Sequence, residues 1–155
     1  LNPILISIAF FIYIGANQEA TYLRYNILLQ DVTVADAMNS PVITVEPTMP
    51  LSQVIAMMYE TKHLGFPVVE RGSLVGIIAL ADVHKVSPID REAMQVQDVM
   101  TRNPTTLPPS APLLDALRVM SGRDIGRIPV GAGDTLVGIG TRTDVLRVME
   151  LREET

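Results

Sequence analysis

Leu136-Val-Gly-Ile-Gly-Thr141-Arg-Thr-Asp144 reads as a buried strand running straight into a helix. Leu136 to Ile139 supply the apolar or small strand core, and Thr141-x-x-Asp144 opens the periodic run Val145, Leu146, Val148 and Met149. A hydroxyl followed three residues later by a carboxylate is a capping-box pattern, able to satisfy the first free N–H groups of a helix. The same point attracts phosphate, because the unpaired N–H groups and the macrodipole converge on it. Sixty-two residues earlier the phrase recurs as Leu74-Val-Gly-Ile-Ile-Ala79-Leu-Ala-Asp82.

The recurrence extends over a whole unit. Sliding residues 33–86 onto 95–148 without gaps gives 17 identities in 54 positions. They include Val34/Val96, Asp36/Asp98, Met38/Met100, Thr44/Thr106, Pro50/Pro112, Pro67/Pro129, Gly76/Gly138 and Asp82/Asp144. Identities that fall on structural punctuation mark a duplication. Each copy predicts the order helix–β–α–β–β–α. A short turn (Val34–Met38, Val96–Met100) leads to a strand at Val42–Val45 or Thr105–Leu107. Thr48-x-Pro50 and Ser110-x-Pro112 predict an N-cap hydroxyl with proline in the first turn. The helices that follow carry Leu51, Val54, Ile55, Met58 and Leu113, Leu114, Leu117, Met120 at helical spacing. Two strands joined by a turn come next, Phe66–Val69 with Leu74–Ile78 and Ile128–Val130 with Leu136–Ile139. A last helix starts near Asp82 or Asp144. The predicted division is repeat one at 33–88, a linker at 89–94, repeat two at 95–151 and a tail at 152–155. One copy alone, at about 55 residues, would be marginal.

Composition narrows the function classes. A net charge of −5 gives no electrostatic reason to bind nucleic acid. The absence of cysteine excludes disulfides and thiolate metal sites, and His63 and His84 lack the paired spacing of a metal site. No nucleophile–base pair is legible, so the chain reads as a binding or regulatory module and no enzyme. Hydrophobic residues make up 48% and mean hydropathy is +0.30, with part of the excess in an N-terminal run. Residues 1–18 contain no charge, and Ile4–Ala16 is nearly all apolar. Two readings stand: a buried helix of a globular domain, or the end of a transmembrane helix begun upstream, since a full span needs about 20 residues. Residues 19–32, carrying Glu19 and Arg24, read as a connector helix leaving the membrane surface.

The ordered set Val34-x-Asp36-x-Met38, Thr48-x-Pro50-Leu51, Gly65-Phe66-Pro67-Val68 and Leu74-Val-Gly-Ile…Asp82, given twice, resembles the cystathionine-β-synthase (CBS) domain family from Thr33 to about Leu151. The resemblance implies an α/β fold of two pseudo-symmetric units with two clefts between their sheets, a homodimer, and a regulatory ligand. That ligand would be an adenine nucleotide (AMP, ADP or ATP) or S-adenosylmethionine. Ile8–Ala16 followed by Glu19-Ala20 also resembles the last membrane helix of site-2-protease-type intramembrane zinc metalloproteases that end in a CBS pair. This second resemblance implies a membrane-attached parent, with the CBS pair in the cytoplasm controlling an upstream transmembrane domain. The His-Glu-x-x-His zinc motif is absent from this chain.

Carried onto these positions, the resemblance assigns one cleft to Asp144, Thr141, Ile139, Ile43, His63, Leu64 and Phe66. Asp144 would accept hydrogen bonds from ribose hydroxyls and Thr141 would approach phosphate. Arg127 and Arg142 flank the cleft strands and are phosphate candidates, since guanidinium forks suit phosphate oxygens. The twin, weaker cleft has Asp82, Ile77, Thr105, Ile125 and Gly126, with Ala79 where the first has the Thr141 hydroxyl. Arg118 and Arg147 read as a solvated helix face balanced by Asp115, Asp124 and Glu150. Met57, Met58, Met94, Met100 and Met120 sit at helical spacing and read as core or dimer-face packing, Met57 and Met94 being the exposed-looking ones. The competing reading is a structural dimerisation module whose clefts hold no ligand.

Overall fold

A computed structural model describes residues 2–153, the side chains of 16–22 excepted. Helix α1 (Pro3–Leu28) begins where Asn2 Oδ1 accepts from the Ile4 N–H at 3.0 Å, with proline at the first position, where its missing N–H is not needed. It continues unbroken across the boundary expected at residues 18 and 19. Phe10, Phe11, Ile12, Tyr13 and Ile14 are all exposed. Five consecutive helical positions go more than once round the axis, so no face of this stretch is buried. Among the described residues no helix is long and apolar enough to cross a membrane. The other end is anchored. Leu29 is 3% and Val32 7% exposed, inside the apolar core described next as the second.

Two cores divide the chain, and they do not follow the sequence repeats. The first gathers α3 (Leu51–Thr61), the antiparallel hairpin β1 (Gly65–Glu70) and β2 (Ser73–Ala79), and α4 (Leu80–His84). Into it go Val96 and Met100, from α5 (Val96–Val99) and the residue that caps it, ahead of the short strand β3 (Thr101–Arg102). The second gathers α6 (Leu113–Arg123), β4 (Arg127–Ala132), β5 (Thr135–Thr141) and α7 (Arg142–Glu153). Into that one go Val34 and Ala37 of α2 (Val34–Ala37). Each short leading helix therefore serves the other copy. The backbone repeats the exchange: β3 pairs with β2, and Asn39 bridges to Ile139 of β5.

Glycine makes that crossing possible. A Cβ on Gly76 would lie 2.8 Å from the Thr101 carbonyl oxygen and 2.7 Å from Met100 Sδ. One on Gly138 would meet Met38 Sδ at the equivalent contact and the Asn39 carbonyl oxygen at 3.2 Å. Both glycines belong to the duplicated phrase because a strand-forming side chain there would push the exchanged segment away.

Two local expectations are corrected. Val42–Val45 and Thr105–Leu107 form no strands; each makes one isolated parallel bridge, Val45 to Val68 and Leu107 to Val130. Thr48 and Ser110 do not cap the helices after them; α3 and α6 start directly behind Pro50 and Pro112, without a side-chain cap. Their free N–H groups are met from a distance. Leu51 N–H donates to the Met94 carbonyl at 3.0 Å, and Leu113 N–H to the Val32 carbonyl at 2.8 Å. Met57 and Met94, read as core or dimer-face packing, are half-buried against the first core.

Candidate functional site

The ends of β1 and β5, the start of α7 and the loop after α2 enclose a cavity of about 440 Å³. The nine residues assigned to one cleft from the sequence all line it: Ile43, His63, Leu64, Phe66, Arg127, Ile139, Thr141, Arg142 and Asp144. Ile43 and Leu64 expose their apolar side chains, at 41% and 52%, into a site that a flat aromatic group could cover.

Asp144 is the one buried charged residue among the described residues, 2% exposed, and the capping box around it is present. Its Oδ2 accepts from the Thr141 N–H at 2.9 Å and from Thr141 Oγ1 at 2.8 Å, while the Asp144 N–H donates to Thr141 Oγ1 at 3.2 Å. Two partners come from outside the box. Asn39 Nδ2 donates to Oδ2 at 2.8 Å, and Arg147 Nη1 donates to Oδ1 at 3.1 Å. The Asn39 backbone is fixed by reciprocal bonds with Ile139, at 2.9 and 3.1 Å.

Cations surround this carboxylate. Lys62, Arg127, Arg142 and Arg147 line the same cavity, in a chain of net charge −5. Lys62 is exposed and makes no ion pair among the described residues. Arg142 reaches the fully solvated Asp124 and the Met120 carbonyl, both at 3.3 Å. Arg127 lies across Gly65, its counterpart in the other repeat, where a Cβ would collide with the guanidinium. Burial lowers the Arg127 pKa from its ordinary value, and the Asp82 carboxylate opposes that shift. Arg147 corrects the solvated-face reading: half-exposed, it pairs with Asp144 across one helical turn.

The residues assigned to the twin cleft are less well gathered. Asp82 Oδ2 accepts the Ala79 N–H at 2.9 Å, so this carboxylate caps α4 without a hydroxyl partner from residue 79. Thr105 Oγ1 takes a hydrogen bond from the Arg123 guanidinium. Ile125 packs against the second core, Ile77 is paired between Pro67 and Thr101, and Gly126 lines the Asp144 cavity instead. Sequence reasoning missed Asn39, Lys62 and Arg147. Arg147 could have been found from its i, i+3 spacing to Asp144; Asn39 could not, because its contact spans the chain.

Two interlocked α/β units with a basic seam cavity, each closed by the other's leading helix, define a tandem module of duplicated origin. The CBS domain family matches residues 34–88 and 96–151, and the chain belongs to that family as a CBS pair. It is 32% identical over 157 residues to Zinc metalloprotease MJ0392 of Methanocaldococcus jannaschii, covering 99% of this chain and 44% of that protein. The chain spans less than half the length of the curated relatives it matches first. Among solved structures it resembles the CBS domain pair of protein MJ0100 in complex with 5′-methylthioadenosine and S-adenosyl-L-methionine. There the TM-score is 0.71 and identity 26%, over 78% of this chain and 98% of that one. CBSX2 in complex with AMP gives a TM-score of 0.68 and 28% identity, over 79% of this chain and 98% of that one. The two CBS matches cover residues 34–88 and 96–151, and among the described residues no group of three or more His, Cys, Asp or Glu could hold a metal.

Proposed function

We propose that this CBS pair is a regulatory module that binds an adenosine-containing ligand in the Asp144 cavity and controls an attached membrane protein. The single observation that carries the ligand reading is the cavity itself: apolar Ile43, Leu64 and Ile139, a buried carboxylate and four cations line one space between the two units. The apolar residues suit a purine, the carboxylate a ribose and the cations a phosphate. Structural relatives solved with AMP and with S-adenosylmethionine support the ligand class.

Transmission would run along α7. Asp144 sits in its first turn, and at its far end Glu153 pairs with Arg24 of α1 while Arg152 Nη1 donates to the Gln30 carbonyl at 2.8 Å. A shift of α7 on binding would thus be felt by α1. The exposed apolar half of α1 is our candidate for the part lying in a bilayer, and similarity to Zinc metalloprotease MJ0392 supports a zinc metalloprotease as the attached domain. The module would then face the cytoplasm and act as a homodimer.

A second reading, a structural dimerisation module without ligand, is favoured by one observation: Asp144 already has hydrogen-bond partners on both oxygens. Thermal melting with AMP, ATP and S-adenosylmethionine separates the two. A ligand at about 100 times its Kd adds roughly 2.7 kcal/mol of stability. No shift with any of the three overturns the ligand reading.

A further inference from the structure

Three donors, Thr141 N–H, Thr141 Oγ1 and Asn39 Nδ2, fill Oδ2 of Asp144, and Arg147 Nη1 holds one of the two acceptor sites of Oδ1. A cis-diol that brings both hydroxyls to this carboxylate must therefore displace one of these four donors. Three of the four are fixed. The Thr141 groups belong to the start of α7, and Asn39 is pinned by its two backbone bonds to Ile139. Arg147 alone is exchangeable: its side chain is 55% exposed, and among the described residues it is the sole partner of Oδ1.

We infer that Arg147 is a latch that makes the cavity selective for 5′-phosphorylated adenosine compounds over uncharged or cationic ones. The inference rests on the ligand reading proposed above and deepens it. A ribose that takes Oδ1 replaces a charge-assisted partner with neutral hydroxyls and leaves a guanidinium unpaired. A ligand that brings only hydroxyls offers nothing in return. A phosphorylated one does, because the released guanidinium stays in the same cavity as Lys62, Arg127 and Arg142. There it meets phosphate oxygens with the fork geometry that arginine provides. Counting the Asp124 and Asp82 partners of Arg142 and Arg127 together with Asp144, the seam still carries four cations against three carboxylates. The other repeat has a weaker version of the latch, with Lys85 Nζ 4.0 Å from Asp82.

Titration calorimetry of the full chain with ATP, AMP, adenosine and S-adenosylmethionine, on the wild type and on Arg147→Gln and Arg147→Lys, tests this. The expected result is a crossing pattern. Arg147→Gln should weaken ATP and AMP by about tenfold or more, the value of one charge-assisted bond. It should leave adenosine and S-adenosylmethionine unchanged or tighter, and Arg147→Lys should recover part of the nucleotide affinity. Equal losses for all four ligands in Arg147→Gln would overturn the latch and leave the ligand reading intact. Wild type that binds none of the four would overturn the ligand reading itself. Melting of each variant without ligand identifies a folding defect, and Arg147→Lys then carries the comparison.

Discussion

Asn39 Nδ2 lies 2.8 Å from Asp144 Oδ2, although 105 residues separate the two in the chain. The carboxylate that the sequence marks as a helix cap is therefore also a tie between the two repeats. Its removal should be felt in both stability and binding, and the mutants separate these effects.

Asp144→Ala should weaken AMP and ATP binding by at least about tenfold, through loss of charge-assisted bonds to the ribose. It should also cost about 2 kcal/mol or more of stability, since it removes a cap and leaves Asn39 and Arg147 without their partner. Asp82→Ala, which removes one cap bond, should cost about 1 kcal/mol and leave binding at the Asp144 cavity largely unchanged. Calorimetry and urea unfolding of both mutants provide the measurements. Equal binding losses would show that the two clefts are not distinct.

Gly76→Ala should destabilise the fold by about 1–3 kcal/mol, the range for overpacking, because the new methyl meets the Thr101 backbone. Gly122→Ala is the control. It lies in α6 with nothing within 4 Å of its Cβ position, and should stabilise by about 0.4–1 kcal/mol by stiffening the unfolded chain. Denaturant midpoints that move together would contradict the close-approach account.

A chain beginning at Asn17 should be more soluble than the full chain and keep its melting temperature, since residues 3–15 expose their apolar side chains. Starting at Gln30 should be different. That cut removes Leu29, a core residue 3% exposed, at a cost of about 1.5–3 kcal/mol. Unfolding of the Asn17 chain would place the apolar run in the core of the repeats and defeat the membrane reading.

Thr33 holds Asp36 below its ordinary pKa, first through its backbone N–H and then through its hydroxyl, with bonds of 2.9 and 3.0 Å. A carboxylate depressed in the folded state contributes stability above its unfolded pKa of about 3.9, and that contribution is lost as pH falls through the folded value. Melting temperature should therefore fall more steeply below pH 4 in the wild type than in Asp36→Asn. Parallel curves would show that Asp36 carries no linked proton.

Sedimentation of the chain starting at Asn17 should show a dimer at high concentration. A monomer there would remove the homodimer proposal.

Much of the fold is legible because it is local. The hairpins follow from alternating apolar runs broken at Arg71-Gly72 and Gly131–Asp134, and the Thr141–Asp144 box from its own spacing. The gathering of Ile43, His63 and Leu64 with Thr141 and Asp144 was anticipated only through the resemblance to the CBS family, since the local pattern marks no more than a helix cap. What stayed hidden depends on distant partners. No local signal tells that Met94 and Val32 carbonyls will serve the starts of α3 and α6. None assigns Val34 and Ala37 to the second core, or Val96 and Met100 to the first. Arg147 was misread for another reason: a charge on an exposed helix face looks the same in sequence whether its neighbour is solvated or buried.

The exchange of leading helices sets an order of events during synthesis. The first unit has all of its parts once residue 102 has left the ribosome, because Val96 and Met100 close its core. The second unit must wait, since Val34 and Ala37 emerge well before their partners Val145 and Met149. A nascent chain paused after residue 102 thus holds one finished half and an apolar flap behind α1. The seam cavity is complete only when α7, which carries Asp144 and Arg147, arrives to claim that flap.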